Sequence, residues 1–358
     1  MPPPRRSLIA SLSAGAGLAL LPGAAWAQAG DLLARPLSAE TLHALRLALG
    51  TPGMAAGWQV NGYAAELLAD GLRAAGAPAL VTPLDQWHIG SLTKGFTAAL
   101  FARAVEAGVI GWDTPIERHV PKVPSRWRGL TAVELLSHHA GLPRDIPMPD
   151  LLALPRVEAD ARASRQRYVD VLLTLQPIAP PRRKMVYSNA GYVLAGRMLE
   201  LATGQSWETL LQAEVLGPLG LASAGFGPPQ GDQPRGHDHG QPITGDNPAA
   251  MGPAARLHIT LPDLLVWLGQ HRDRSAFLSR DSWDQLHRPR FGSSYAFGWE
   301  VSPIGRLWHN GSNTAWYAEA AVERERGLVM AHCSNDAALL NRVRVLLPAI
   351  RRAAVRPG

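Results

Sequence analysis

The strand-forming patterns of this chain lie at its two ends and its helical patterns lie between them, so distant parts of the sequence must share one sheet. Near the start, Leu42, Leu45 and Leu49 have helical spacing, Thr51-Pro52-Gly53 stops the helix, and Met54 to Val60 suits a strand. Asn61 to Pro83 is rich in Ala and Gly and gives no assignment. Near the end, Tyr295, Phe297, Trp299 and Val301 alternate with smaller or polar residues, and Leu307-Trp308-His309 reads as another strand. Trp316 to Val322 and Leu328 to Cys333 flank the charged turn Glu323-Arg324-Glu325-Arg326-Gly327 as a hairpin, and Val343 to Arg352 reads as a closing helix. The middle differs. Prolines from Pro115 to Pro155 punctuate it, with helices over Leu130 to His138, Tyr168 to Leu175 and Asn189 to Ala202, and no alternating pattern between about 111 and 250. The expectation is a discontinuous α/β sheet domain, residues 31–110 and 251–358, interrupted by an inserted all-α helical domain over 111–250.

One stretch carries chemistry. In His88-Ile89-Gly90-Ser91-Leu92-Thr93-Lys94 a nucleophile and a base stand at positions i and i+3, which share a face if a helix begins at the serine. Phe96, Ala98, Leu100, Phe101 and Val105 then make that helix apolar on more than one side, as in a buried helix. Ser91 at its N-terminus would meet unpaired N–H groups that favour a developing anion. Of 35 basic residues only Lys94, Lys122 and Lys184 are lysines. Arginine keeps its proton, whereas a buried lysine shifts its pKa and serves as a base. Alone, Ser-x-x-Lys is short enough to occur by chance.

The N-terminus has the layout of a secretory signal: Arg5-Arg6, an apolar run to Leu20-Leu21, and the cleavage pattern Ala25-Trp26-Ala27, giving a signal peptide over 1–27. The paired arginines resemble a twin-arginine export signal, with ordinary secretion as the alternative. Either route predicts a periplasmic or secreted protein. After signal cleavage no segment has the ~20 apolar residues of a spanning helix, so no stable membrane span is expected. Cys333 is the only cysteine, which excludes an intrachain disulfide and reads as a small buried hydrophobe. The net charge of +6 is scattered, without a basic run interleaved with aromatics, which argues against nucleic acid as a partner. Gly236-His237-Asp238-His239-Gly240 lacks a companion metal motif and reads as a surface loop; no metal or cofactor is expected. His138 and His139 read as helix caps. The sequence carries no signature of oligomeric state.

Two further motifs follow in order, Tyr187-Ser188-Asn189 at a helix start and His309-Asn310-Gly311-Ser312 after a strand. Ser91-x-x-Lys94, Tyr187-x-Asn189 and His309-x-Gly311 together resemble the serine hydrolases related to class C β-lactamases and DD-peptidases. Thr131 to Pro143, ending in Gly141-Leu142-Pro143, and Pro218-Leu219-Gly220-Leu221 extend the likeness to about Leu37–Ile350. The resemblance implies an antiparallel β-sheet flanked by helices and an acyl-enzyme on Ser91. It implies that Lys94 and Tyr187 share the proton chemistry, with Lys94 and His309 as cations lowering the Tyr187 pKa. Asn189 would bond substrate or Lys94, and the N–H groups of Ser91 and Ser312 would form the oxyanion hole. Gly311 would keep the strand edge clear for substrate.

His309 stands where β-lactamases carry lysine, so the expected substrates are small esters, amides or D-amino-acid peptides. β-Lactamase activity proper and a non-catalytic cell-wall-peptide binding protein are the alternatives, the latter suggested by the bulkier stretch Ser312 to Trp316.

Overall fold

The computed structural model describes residues 30–342 and 346–355; the signal-like segment 1–27 and the start of the expected closing helix at Val343 lie outside them. Helix α1 (Ala39–Leu49) is capped by Ser38, which accepts from the Thr41 N–H, and ends at Gly50 in the left-handed region. Strands β1 (Gly53–Val60), β2 (Glu66–Gly71) and β3 (Gln86–His88) precede α2 (Thr93–Glu106). Helices α3 (Ala132–Leu136), α4 (Met148–Ala153), α5 (Arg162–Thr174), α6 (Asn189–Thr203) and α7 (Trp207–Leu211) make up the middle. Strands β4 (Gly225–Phe226), β5 (His237–Asp238) and β6 (Gln241–Pro242) lead to α8 (Gly252–Ala255), β7 (Leu257–Thr260), α9 (Leu261–Asp273) and α10 (Arg280–His287). The chain closes with β8 (Glu300–Val301), β9 (Leu307–Ser312), β10 (Tyr317–Glu323), β11 (Leu328–Ser334) and α11 (Leu347–Ala353).

The two ends share a sheet, as expected. Its order is β2-β1-β11-β10-β9-β8, and every pairing is antiparallel. Strand periodicity sorts the side chains between two cores. Met54, Ala56 and Trp58 of β1 and Leu328 and Met330 of β11 pack with Leu42, Leu45 and Leu49 of α1 and Ile350 of α11. Ala55, Val329, Ala331 and Cys333 point the other way, toward Leu264, Leu265 and Leu268 of α9. Burial on both faces is why β11 opens with four apolar residues in a row, Leu328 to Ala331, rather than alternating. It also pushes the Cys333 thiol up.

Two expectations are corrected. Residues 111–250 are not all helical, because β4 pairs with β7 and β5 with β6. These strands are two residues long, too short to show a period. The strand expected over Tyr295–Val301 shrinks to Glu300–Val301 plus a bridge from Tyr295 to Glu300. Gly298 breaks it: at φ +82° it presses on α2, where a Cβ would fall 2.7 Å from the Gly95 Cα. The buried Tyr295, Phe297 and Trp299 are therefore core residues of a tight turn.

Candidate active site

Local chemistry first places the nucleophile. Ser91 lies in a 3₁₀ turn, Gly90–Leu92, that runs directly into α2. Gly90 is at φ +50° and donates its N–H to His88 Nδ1 at 3.1 Å, while the Thr93 hydroxyl donates to the Gly90 carbonyl at 2.6 Å. The turn brings Lys94 back onto the serine: Nζ lies 3.0 Å from Ser91 Oγ.

The second motif is placed by a cap. Ser188 accepts from the Gly191 N–H at 3.1 Å as N-cap of α6, donates its hydroxyl to the Pro143 carbonyl at 2.7 Å, and donates its N–H to His138 Nδ1 at 3.1 Å. Tyr187 is thereby held just before the helix and Asn189 just inside it. Tyr187 donates its hydroxyl to Ser91 Oγ at 2.8 Å. Lys94 Nζ donates to Asn189 Oδ1 at 2.8 Å and to the Ala254 carbonyl at 2.9 Å. Asn189 in turn donates to Asp145 at 2.9 Å, and Asp145 accepts from the Tyr168 hydroxyl at 3.0 Å.

Electrostatics separate the two proton-handling groups. Lys94 is fully buried, and burial followed by the Arg144 charge holds its amine well below the usual lysine range. Part of the Tyr187 surface stays open, yet burial pushes its phenol up to about 12, against the pull of the Ser91 hydrogen bond and Arg144. This overturns the expectation that nearby cations lower the Tyr187 pKa. Neither Lys94 nor His309 offsets that burial, and His309 supplies no charge, because burial, followed by the charge of Lys94, holds its imidazole down to about 3.

His309 also sits differently from the expectation. Its Nδ1 donates to the Asn310 carbonyl at 2.6 Å and its Nε2 accepts from the Tyr295 hydroxyl at 2.9 Å, which engages both nitrogens. Its ring centroid lies 6.3 Å from that of Tyr187. His309 is a neutral wall of the site. His138 is structural, though as an acceptor for Ser188 rather than a carbonyl cap, and its ring packs 4.3 Å from Tyr187 and 4.5 Å from Tyr295 between centroids.

In the third motif, alternation along β9 buries Leu307, His309 and Gly311 on one face. Gly311 has a different steric reason from a clear substrate edge. A Cβ there would fall 2.0 Å from the Ile89 carbonyl oxygen and 2.5 Å from Ser91 N, and one on Gly90 would fall 2.4 Å from Ser312 N. Two glycines let the backbones at 90–91 and 311–312 touch, which sets the amides of Ser91 and Ser312 side by side.

The profile of the Beta-lactamase family matches residues 34–355. The chain belongs to that family. Penicillin-binding protein 4 of Amycolatopsis lactamdurans is 29% identical over 253 residues, 65% of this chain and 63% of that protein. An unguisins hydrolase of Aspergillus violaceofuscus is 34% identical over 143 residues, 37% of this chain and 24% of that protein. The chain thus spans less than two thirds of either relative. Among solved structures, the class C beta lactamase from Rhodobacter sphaeroides superposes with a TM-score of 0.73 at 20% identity, covering 92% of this chain and 99% of that one. The D-amino acid amidase from Ochrobactrum anthropi does so with 0.73 at 20%, covering 91% and 98%. At that identity the likeness shows the family's antiparallel sheet with flanking helices.

Sequence reasoning missed Asp145, Tyr295 and the Ala254 carbonyl. Asp145 follows the Gly141-Leu142-Pro143 loop already linked to the family, a usable signal. The Ala254 carbonyl leaves no such signal, because a backbone acceptor needs no particular side chain. His237, expected in a surface loop, is fully buried and ties Ala75 N to the Asn335 carbonyl.

Proposed function

We propose that Ser91 is the nucleophile of an exported serine hydrolase that acts through an acyl-enzyme on small esters, amides or D-amino-acid peptides. The observation that carries this reading is that one oxygen, Ser91 Oγ, lies within hydrogen-bond reach of both Lys94 Nζ, at 3.0 Å, and the Tyr187 hydroxyl, at 2.8 Å. A neutral Lys94 has two hydrogens, matched by Asn189 Oδ1 and the Ala254 carbonyl, which leaves its lone pair for the Ser91 hydroxyl proton. The depressed Lys94 pKa supports Lys94 as base, and the raised Tyr187 pKa supports Tyr187 as a neutral donor.

Ser91 Oγ attacks the acyl carbon while its proton passes to Lys94. The oxyanion is received by the N–H groups of Ser91 and Ser312. As the bond to the leaving group breaks, Tyr187 protonates the departing oxygen or nitrogen and recovers a proton from the Lys94 ammonium. Water then attacks the Ser91 ester, returning its proton through the same pair, and the acid leaves. The neutral His309 offers no ammonium for a β-lactam carboxylate, which supports esters, amides or peptides over β-lactams. The similar proteins, a penicillin-binding protein and a D-amino acid amidase, agree with acyl donors of this kind. Export rests on the signal pattern over 1–27.

Intact mass after exposure to a fluorophosphonate tests the assignment. One adduct on the wild type and none on Ser91→Ala is expected; no adduct on the wild type, or an equal one on Ser91→Ala, would overturn it. Ester turnover that vanishes in Ser91→Ala excludes a non-catalytic binding protein.

A further inference from the structure

We propose that Asp246 is a positioning residue that holds the two oxyanion-binding segments in register. This rests on the reading of Ser91 and Ser312 as the oxyanion donors. Asp246 belongs to none of the motifs, and its side chain is 4% exposed. Oδ1 accepts from Asn313 Nδ2 at 2.9 Å and from the Asn247 N–H at 2.7 Å, and stands 3.2 Å from His88 Nε2, off the line of a well-formed hydrogen bond. Oδ2 accepts from Arg256, with Nε at 2.8 Å and Nη2 at 2.7 Å. Burial opposes its ionisation, but His88, Arg256 and Asn313 outweigh it and hold the carboxyl down to about 2.

Each partner leads to the reaction centre by one short step. His88 Nδ1 accepts the N–H of Gly90, the residue before Ser91, so the other nitrogen, facing Asp246, carries the ring proton. Asn313 directly follows Ser312, and its Oδ1 accepts the Ala315 N–H at 3.3 Å. Between them Thr314 is held at φ +79°, an outlier for a β-branched residue that persists only where its surroundings impose it. Arg256 follows the Ala254 whose carbonyl accepts from Lys94, and donates on to the Arg156 carbonyl at 2.8 Å.

One carboxylate therefore ties β3, the loop after β9 and the exit of α8, the three segments that converge on Ser91. An oxyanion site works only while its donors keep their geometry to a fraction of an ångström. Without the carboxylate, Asn313 loses its anchor, the turn at Thr314 relaxes, and the Ser312 N–H moves relative to that of Ser91.

The test measures kcat and KM on a chromogenic ester, the fluorophosphonate reaction rate, and Tm. The proteins are the wild type, Ser91→Ala, Asp246→Asn, Asn313→Ala and the double variant. Asp246→Asn and Asn313→Ala are each expected to lower kcat by about 10- to 100-fold with KM within about twofold. The double variant should be no worse than the poorer single one, because both act through one connection. Unchanged kcat with a lowered Tm, a raised KM with intact kcat, or multiplied effects in the double variant would overturn the proposal. If Asp246→Asn yields no folded protein, Asn313→Ala decides alone by the same split, since it removes no charge. A wild type without Ser91-dependent turnover or adduct would remove the parent reading as well. An active wild type matched by Asp246→Asn would remove only this inference.

Discussion

Two fully buried basic side chains flank the stretch Ala249–Ala255, Arg165 from α5 and Lys94 from α2. Arg165 Nε donates to the Ala250 carbonyl at 3.1 Å, and its remaining donors meet the carboxylates of Glu200 and Glu208. Lys94 donates to the Ala254 carbonyl and otherwise meets a neutral amide and a neutral hydroxyl. The backbone partners are alike, and the counter-charges are not. The Arg165 guanidinium is paired by carboxylates and acts as a strut between α5, α6 and α7. Around Lys94 the nearest carboxylate is held one residue away, Asp145 behind Asn189, and burial lowers the amine's pKa and favours its action as a base. The same helical layer thus contains a structural cation and a reactive amine, separated first by residue type, since only a lysine can release its proton, and then by the chemistry of their acceptors.

Replacing each by methionine should split stability from activity. Lys94→Met is expected to lower kcat/KM by about 100- to 10,000-fold, the usual worth of a general base, and leave the fold intact. Its thermal stability should even gain on the wild type as pH falls. Below the ordinary lysine value of 10.5, and down to the depressed folded value, the unfolded wild-type chain binds a proton that the folded one refuses. Wild-type stability therefore declines with falling pH across that window, and the variant lacks this slope. Tm measured at several pH values for both proteins checks it; parallel curves would refute the depressed lysine. Arg165→Met should do the reverse. It leaves the buried Glu200 with Arg197 as its one cation and the partly exposed Glu208 with none, and is expected to cost about 3 kcal/mol by denaturant unfolding, with KM and kcat of the folded fraction unchanged. Smaller again, Tyr187→Phe is expected to slow acylation by about 100-fold at unchanged KM, with greater loss on amides than on activated esters whose leaving groups need no proton. An equal loss on both would argue against Tyr187 as donor to the leaving group.

The sequence made the Ser91–Lys94 pair legible because an i, i+3 spacing at a helix start is a local fact, and the same holds for Tyr187 and Asn189 around their capping Ser188. The shared sheet was legible from where the apolar runs lie. The protonation states were not, since they are set by burial that only the folded chain creates; Tyr187 was expected low and stands at about 12. Asp246 and Arg165 escaped notice for a related reason. Their partners Asn313, Arg256, Glu200 and Glu208 come from distant segments, and no spacing announces a carboxylate that will lie between them. Tyr295 to Val301 misled because buried turns and half-buried strands can share an alternating pattern, and the left-handed Gly298 decided between them.

The comparison between the two cations can be sharpened most finely at Asp145, the carboxylate nearest in influence to Lys94. Burial pushes its carboxyl up, but the Asn189 and Tyr168 hydrogen bonds and the Arg144 charge oppose that, and its charge in turn raises the Lys94 pKa against burial and Arg144. Asp145→Asn removes that charge at nearly constant volume. The acid limb of kcat/KM, which reports Lys94 in the free enzyme, should then shift to lower pH by less than about one unit, while the plateau falls little. A shift to higher pH would mean that Asp145 acts on Lys94 through the orientation of Asn189 and not through its charge. An acid limb unmoved by the substitution would place its titration on some other group and break the link between burial and reactivity that distinguishes Lys94 from Arg165.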